Sequence, residues 1–348
     1  MIRRPGDSTI HLVGSPGEGS NPFTRLQNDA LRATTEVQLA PYSKSTVASA
    51  WPDVWHLNWP EAAYRADRCL VAAMKATKLL LQLRLARLRG TRIAWTVHNL
   101  APHEQLFPWV DRWFWPRFHR QVDLFVHLSA AGRQWFLDLN PSVRTRRHVA
   151  LWHPAYPIPD DDLVPQRIAR TQNGIESEVG VASIVGRIAR YKGVPAAIRT
   201  FSELSASNVR LIVAGQSSDA ELEGEIRALA DQDTRVRFES RFLEPRELHL
   251  LIRASDIVVL PYDRFLNSGA QMLSLSLGRP VLVPATPVTA ELQAQVGDEW
   301  VRTYEGLLTS ERLEAELVTA GRPGGPPSLA DLDWPAFADA LLTQYRAL

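Results

Sequence analysis

The chain has 348 residues, of which 45% are hydrophobic and 22% are charged. This length favours two domains that each bury a core, and the composition is that of a globular protein. A net charge of +1 argues against a general nucleic-acid binder, and the single cysteine excludes an internal disulfide.

Short apolar runs alternate with helix-like segments along the chain. Most runs are rich in Val, Ile and Leu without strict polar alternation, which is typical of parallel strands that helices cover on both faces. The pattern predicts an α/β protein with two consecutive parallel-sheet domains. The predicted strands are Thr9–Val13, Val54–Trp59, Arg92–Val97, Leu124–Leu128, His148–Trp152, Val181–Val185, Val209–Ala214, Val236–Glu239, Ile257–Leu260 and Pro280–Val283.

The proline-rich segment Pro154–Pro165 is expected to separate the domains, because it can easily continue neither a strand nor a helix. We therefore predict domains over residues 1–162 and 163–326, followed by a C-terminal segment over 327–348 that contains a helix. Up to Leu163 the chain has 20 Lys and Arg against 14 Asp and Glu, and the remainder has 19 against 24. This asymmetry suggests that the two domains meet different partners.

Two segments of the first domain combine cations with large apolar side chains. Arg65–Arg92 has eight Lys and Arg but only one acid, and residues 109–117 hold three tryptophans and two arginines. Such segments lie on anionic membranes, pack inside proteins or line sugar-binding clefts, and the sequence leaves these alternatives open. The N-terminal residues lack the apolar core of a signal peptide, and no stretch is long enough to span a bilayer. We therefore expect a cytoplasmic protein, with the inner face of the cell membrane as a further site of attachment.

A glycine-rich loop follows the first predicted strand. Gly14, Gly17 and Gly19 are not spaced as in a dinucleotide-binding GxGxxG motif, which disfavours an oxidoreductase. Asn21 as the N-cap and Pro22 as the first helical residue then predict the start of a helix.

The third predicted strand leads into a segment with acid/base chemistry. His98, His103 and Glu104 form a candidate general acid/base cluster, with the amide of Asn99 beside them. The spacing His-x4-His-Glu also suggests a metal, but no further Cys or His cluster completes a site, so no metal is expected.

In the second half, the segment from Gly186 to Gly193 follows the sixth predicted strand. Ligands of doubly wound sheets bind beyond the carboxyl ends of strands, where Arg187 and Lys192 can face a diphosphate. Gly186 lets a phosphate approach the backbone, and Gly193 opens a helix whose amides favour an anion. Alone, the segment also fits an ordinary turn with two solvated cations.

A second helix start strengthens the phosphate interpretation. Asn267 or Ser268 is a good N-cap, and the amides around Ser268–Ala270 form another anion-binding helix start at the same edge of the predicted sheet. Two such helix N-termini at one edge of the sheet favour the interpretation as a diphosphate pocket.

The order GRIARYKG, LIVAGQ, RFLEPRELHLLIRASDIVVLPY and NSGAQMLSLSLGRPVLVP resembles the donor domain of GT-B glycosyltransferases, especially the large family four. This resemblance implies two Rossmann-like parallel-sheet domains facing across a cleft, with a C-terminal helix that returns to the first domain. It also implies that Arg187 and Lys192 hold the diphosphate of a GDP- or UDP-linked sugar. The other donor contacts that it implies are Gly17, Gly186, Gly193, Phe242, Asn267, Ser268, Gly269 and Ala270.

The elements DVWHLNWPE and TVHNLAPHE resemble bacterial exopolysaccharide glycosyltransferases of the type that adds the β-mannose in xanthan assembly. The resemblance implies transfer of mannose from GDP-mannose, the co-substrate, to a saccharide linked to a lipid diphosphate, without a cofactor. It implies that His98 lies near the donor hexose and that His103 or Glu104 deprotonates the acceptor, with Glu61 as a third candidate. The implied acceptor contacts are Asn21, Trp59, Glu61 and Asn99.

One departure from family four concerns the ribose. The family usually carries two glutamates around the last loop, and the corresponding positions here are Phe265 and Leu273. Ribose binding must therefore be arranged differently. Two alternatives stay open: a UDP-sugar-dependent transferase that acts on a soluble acceptor, and an inactive scaffold that binds a nucleotide sugar.

Overall fold

The computed structural model describes residues 9–14, 21–40, 52–99, 107–262, 266–319 and 323–348. Within these ranges the chain forms two six-stranded sheets whose strand pairs are parallel. This confirms the predicted α/β class.

The first compact unit comprises Met1–Pro154 and Leu332–Leu348. Its strands are β1 (Ile10–Val13), β2 (Val37–Ala40), β3 (Val54–Leu57), β4 (Arg92–Val97), β5 (Leu124–His127) and β6 (Arg147–Ala150). Its first helices are α1 (Pro22–Ala33), α2 (Cys69–Leu88), α3 (Pro108–His119) and α4 (Ala130–Leu139). The strand order β2-β1-β3-β4-β5-β6 reverses direction between β1 and β3. Ligands of such sheets bind beyond the carboxyl ends at this reversal, near β1 and β3.

The second compact unit comprises Ala155–Asp331. Its strands are β7 (Gly180–Val185), β8 (Val209–Ala214), β9 (Val236–Glu239), β10 (Ile257–Val259), β11 (Val281–Pro284) and β12 (Val301–Tyr304). Its helices are α5 (Gln166–Gln172), α6 (Val194–Ser202), α7 (Ala220–Ala230), α8 (Pro245–Ala254), α9 (Gly269–Ser276), α10 (Pro287–Val296) and α11 (Ser310–Glu314). The order β12-β11-β10-β7-β8-β9 reverses between β10 and β7, so these two carboxyl ends flank the expected ligand crevice.

The last helix, α12 (Trp334–Arg346), returns to the first unit. Its apolar face packs into the core that Phe23 and Leu31 of α1 share with the strands. The hydroxyl of Tyr345 also hydrogen-bonds with the buried Nδ1 atom of His56 on β3. These contacts confirm the predicted C-terminal return helix.

The predicted strands agree with the structure to within two residues at each end, but two strands were missed. β2 and β12 lie at sheet edges, where partly exposed positions interrupt the apolar run. The two compact units divide at Pro154, the first residue of the proline-rich segment. Among the helices of the described ranges, none combines the length and the apolar character needed to span a bilayer.

Candidate active site

In the second unit, three loops meet beyond the carboxyl ends of β7, β8 and β10. Gly186 directly follows β7 with a φ of 92°, and Gly193 has a φ of 63° at the start of α6. A Cβ atom on Gly193 would collide with the carbonyl oxygen of Pro261, and one on Gly215 would collide with that of Gly186. Glycine is needed at both positions because the backbones of neighbouring loops touch there.

Lys192 is buried where these loops meet, with 8% of its surface exposed. Its Nζ atom lies 3.8 Å from the point that a Cβ atom on Gly186 would occupy. Burial lowers the pKa of the Lys192 ammonium group, Tyr191 partly offsets this, and Arg187 lowers the pKa further. Within the described residues, no carboxylate is among the charges that act on this group. A buried cation in this setting indicates a site for an anion, because an uncompensated buried charge is destabilising.

The second predicted helix start lies at the same junction. The Ser268 hydroxyl accepts a hydrogen bond from the backbone N–H of Gln271 at 3.2 Å, which confirms Ser268 as the N-cap of α9. Tyr262 connects this cap to the lysine: its hydroxyl hydrogen-bonds with Ser268, and its ring centroid lies 5.3 Å from Nζ of Lys192. The structure thus brings together the two elements that the sequence proposed for phosphate binding.

The other predicted donor residues of this unit differ in their exposure to solvent. Arg187 and Gly269 are exposed, Asn267 and Ala270 are partly buried, and the Phe242 side chain is 65% exposed beyond β9. A Cβ atom on Gly269 would lie 3.0 Å from the hydroxyl of Tyr156. The tyrosine therefore limits the space beside the start of α9.

In the first unit, His98 directly follows β4 and its ring is buried. Its Nε2–H donates to Oδ1 of Asn58 at 3.0 Å, and the ring of Trp59 stacks on it at 3.9 Å. Burial lowers the pKa of His98 well below its ordinary value, and the neighbouring His153 and His56 add to this. The imidazole is therefore neutral at pH 7, with its proton on Nε2.

Glu61 lies in a short turn, Pro60–Tyr64, that follows β3. Burial raises the pKa of its carboxyl group to about 7, against opposing effects of a backbone hydrogen bond and of Arg65. A carboxyl group with this pKa exchanges protons readily at neutral pH, as a general base must. It shares a cavity of about 10 Å³ with other predicted site residues; the lining residues are Asn58, Trp59, Glu61, Trp95, His98, Asn99 and Trp115.

Asn21 caps α1 as predicted. Its Oδ1 atom accepts from the backbone N–H of Phe23 at 2.9 Å, and Pro22 is the first helical residue. Gly17, His103 and Glu104 lie outside the described residues. No group of three or more His, Cys, Asp or Glu in the described part of the chain is arranged to hold a metal ion.

Three residues of these sites were missed from the sequence. Asn58 and Tyr262 each follow a strand closely, and a polar side chain in that position was an available signal. Tyr156 gave no such signal, because it lies in the proline-rich segment between the predicted domains.

Residues 180–320 match the family described as glycosyl transferases group 1. The chain is also similar to a GDP-mannose:glycolipid 4-beta-D-mannosyltransferase of Xanthomonas campestris pv. campestris. The two are 28% identical over 339 residues, which span 95% of this chain and 89% of the relative. A more distant similarity, 23% identity over 279 residues, links 75% of the chain to 67% of an alpha-maltose-1-phosphate synthase of Mycolicibacterium smegmatis.

Two solved structures share the fold. Sucrose-phosphate synthase of Thermosynechococcus elongatus aligns with a TM-score of 0.69 at 16% identity, covering 98% of each chain. HepE of Anabaena, in complex with UDP and glucose, aligns with a TM-score of 0.62 at 14% identity, covering 97% of this chain and 98% of the other. At these identities the similarity establishes the architecture and not the substrate.

Proposed function

Because the chain is a GT-B glycosyltransferase with a glycosyltransferase group 1 domain over residues 180–320, we propose that it transfers mannose from GDP-mannose to a glycolipid. The name of the Xanthomonas relative supports both the GDP-linked donor and the glycolipid acceptor. The proposal extends to a place in exopolysaccharide assembly, with no cofactor besides the nucleotide sugar, on the cytoplasmic side of the cell membrane.

The observation that carries the donor half of the proposal is the buried ammonium group of Lys192. It lies at the strand-order reversal of the second sheet, beside Gly186 and close to the start of α9. There it can bind the diphosphate and stabilise the negative charge that develops on departing GDP. The amides of Gly269 and Ala270 are the further donors that the proposal assigns to this diphosphate.

The acceptor half rests on the positions of Glu61 and His98, which follow the neighbouring strands β3 and β4 closely at their carboxyl ends. We assign Glu61 as the base that takes the proton of the acceptor hydroxyl, because its raised pKa suits that exchange. His98 is assigned to hold the transferred hexose as a neutral hydrogen-bonding group, with its ring fixed by Asn58 and Trp59. His103 and Glu104 remain predicted alternatives for the base.

The proposed reaction is a single displacement. The acceptor oxygen forms a bond to the anomeric carbon of mannose while the bond from that carbon to the diphosphate oxygen breaks. The acceptor proton goes to the base, and the leaving electron pair stays on GDP. A β-mannoside formed from an α-linked donor requires inversion, which one displacement provides.

Nucleotide-dependent thermal unfolding tests the donor assignment. A ligand that binds only the folded protein raises its melting temperature. We expect stabilisation by GDP and GDP-mannose at concentrations where UDP and UDP-glucose have little effect. Equal or greater stabilisation by UDP would support the UDP-sugar alternative, and GDP binding without turnover on any acceptor would support an inactive scaffold.

A further inference from the structure

A row of large apolar side chains lies on the outer face of α2. Leu70, Met74, Leu81, Leu85 and Leu88 are 74, 71, 62, 46 and 76% exposed. In a helix with 3.6 residues per turn, these five positions fall within an arc of roughly 60°. They form one continuous stripe, which we call the α2 stripe.

The α2 stripe contributes nothing to the core of its unit. The helix already buries its opposite side, through Ala72, Ala76, Leu79, Leu83 and Ala86. A helix that buries one apolar face and exposes a second is unusual, and contiguous exposed apolar patches mark interaction sites.

Cations flank the α2 stripe. Lys75, Lys78 and Arg84 are exposed on α2, whose sequence contains no Asp or Glu. The acid in the neighbouring α3, Asp111, is buried and accepts a hydrogen bond from the Tyr64 hydroxyl at 2.6 Å. The charge of this surface is therefore positive, which complements an anionic partner.

A groove of about 670 Å³ runs between α2 and α3. Its walls combine apolar side chains with four guanidinium groups. The residues that line the groove are Thr77, Leu80, Leu81, Arg84, Arg87, Leu88, Trp113, Arg117, Arg120 and Gln121. Arg87 pairs with Asp123 at 2.6 Å, whereas the other three arginines form no ion pair within the described residues. Arg117 also lies over the ring of Trp113, 4.8 Å from its centroid. Tryptophan beside arginine is typical of groups at the interface between lipid headgroups and acyl chains.

We propose that α2 and α3 form a face that binds the surface of an anionic phospholipid bilayer. In this arrangement α2 lies along the membrane, the α2 stripe enters the acyl boundary, and the groove arginines contact lipid phosphates. Apolar burial and electrostatic attraction then act together, as in interfacial helices that bind without spanning.

The N-terminal ends of α2 and α3 both lie near the candidate acceptor site. α2 begins at Cys69, shortly after the turn that holds Glu61, and Trp109 at the start of α3 donates to Sγ of Cys69 at 3.0 Å. The inference rests on the proposed function in one respect: a glycolipid acceptor would be reached from the membrane that this face binds.

Vesicle sedimentation of the full chain tests the proposal. We expect binding to vesicles of phosphatidylcholine and phosphatidylglycerol, weak binding to phosphatidylcholine alone, and loss of binding at high salt. The variants L70Q/L81Q/L88Q and R84Q/R120Q should each lower the membrane partition coefficient by about tenfold or more. The control L307Q removes an 85% exposed leucine of the second unit and should bind like the wild type.

Two results would overturn the proposal: vesicle binding that does not depend on phosphatidylglycerol, or unchanged vesicle binding of the triple variant. If the triple variant also converted a wild-type dimer to monomers, the second result would instead assign the α2 stripe to contact with a second copy of the chain. Melting temperatures equal to the wild type establish that the variants are folded. Because sedimentation needs no donor sugar, failure of membrane binding and failure of the proposed transfer are separate results.

Discussion

The ammonium group of Lys192 lies over the ring of Tyr262, 5.3 Å from the ring centroid. An aromatic face attracts a cation but does not neutralise it. The contact therefore holds the lysine in place and leaves its charge for an anion. Since the tyrosine hydroxyl also hydrogen-bonds with Ser268, Tyr262 contacts both the lysine and the N-cap of α9.

Replacing Lys192 should separate ligand binding from stability. We expect K192M to weaken GDP binding by about 10-fold to 100-fold, because a charge-assisted hydrogen bond contributes about 1.5–3 kcal/mol. The ligand-free protein should be as stable as the wild type or more stable, since a buried cation is removed. Isothermal titration calorimetry and thermal unfolding measure both effects.

Arg190 provides the matched control for this prediction. It lies in the same turn, is exposed, and pairs with Asp219 at 2.7 Å and with Glu221 at 2.6 Å. R190M should bind GDP like the wild type. If K192M retained wild-type affinity, the diphosphate assignment would be wrong.

Gly193 and Gly174 allow the contact between loops to be tested. Both have a left-handed backbone, with φ of 63° and 65°, but a Cβ atom meets the carbonyl of Pro261 only at Gly193 and has open space at Gly174. G193A should reduce the free energy of unfolding by about 1–3 kcal/mol more than G174A does, because of the added collision. Urea unfolding of both variants gives the difference, and equal losses would contradict the close approach.

Glu61 should determine the pH dependence of transfer on the acid side. Its pKa is raised to about 7, so the carboxylate that acts as a base is lost as the pH falls through this value. We expect kcat/KM to decline below pH 7 in the wild type, and E61Q to lower kcat/KM by about 10²-fold to 10⁴-fold and to lose this decline. The exposed Glu176 supplies the control E176Q, which should have the wild-type profile. Wild-type activity in E61Q would transfer the base assignment to His103 or Glu104.

Buried histidines should make the fold sensitive to acid. Burial lowers the pKa of His56 and His127 to about 3 and that of His119 and His153 to about 4, from 6.5. Below pH 6.5 these histidines bind protons in the unfolded chain but not in the folded chain. The contribution of the four histidines to the free energy of unfolding is therefore complete above pH 6.5 and declines toward pH 4. Glu61 opposes this between pH 4.5 and 7, but it is one group against four.

We therefore expect the free energy of unfolding to be lower at pH 5 than at pH 7.5 by at least about 2 kcal/mol. H119F should reduce this difference, because the ring is surrounded by aromatic side chains and its Nε2 atom has no hydrogen-bond partner within the described residues. Urea unfolding at both pH values measures this difference in the free energy of unfolding. Equal or greater stability at pH 5 would refute the prediction.

Sequence periodicity was sufficient for the central strands and for the edge strands β6 and β9, but it missed the edge strands β2 and β12. β4 and β8 were predicted with their observed bounds, because nearly every position in them is buried and apolar. In β2 and β12, polar positions that are exposed or partly buried interrupt the short apolar run.

The candidate sites depended on pairings that no local pattern encodes. Lys192 was identified from its own segment, but its contact with Tyr262 arises because β7 lies beside β10 in the sheet. Likewise, Asn58 meets His98 because β3 and β4 are neighbours. The burial that lowers the pKa of His98 and raises that of Glu61 is also a tertiary property.

The most direct test of the central claim is transfer of radiolabelled mannose from GDP-mannose to a lipid-linked saccharide extract by wild type, K192M and R190M. We predict incorporation of label with the wild type and R190M, a loss of at least about 100-fold with K192M, and little incorporation from UDP-glucose. Equal incorporation by K192M, or preferential transfer from UDP-glucose, would contradict the account.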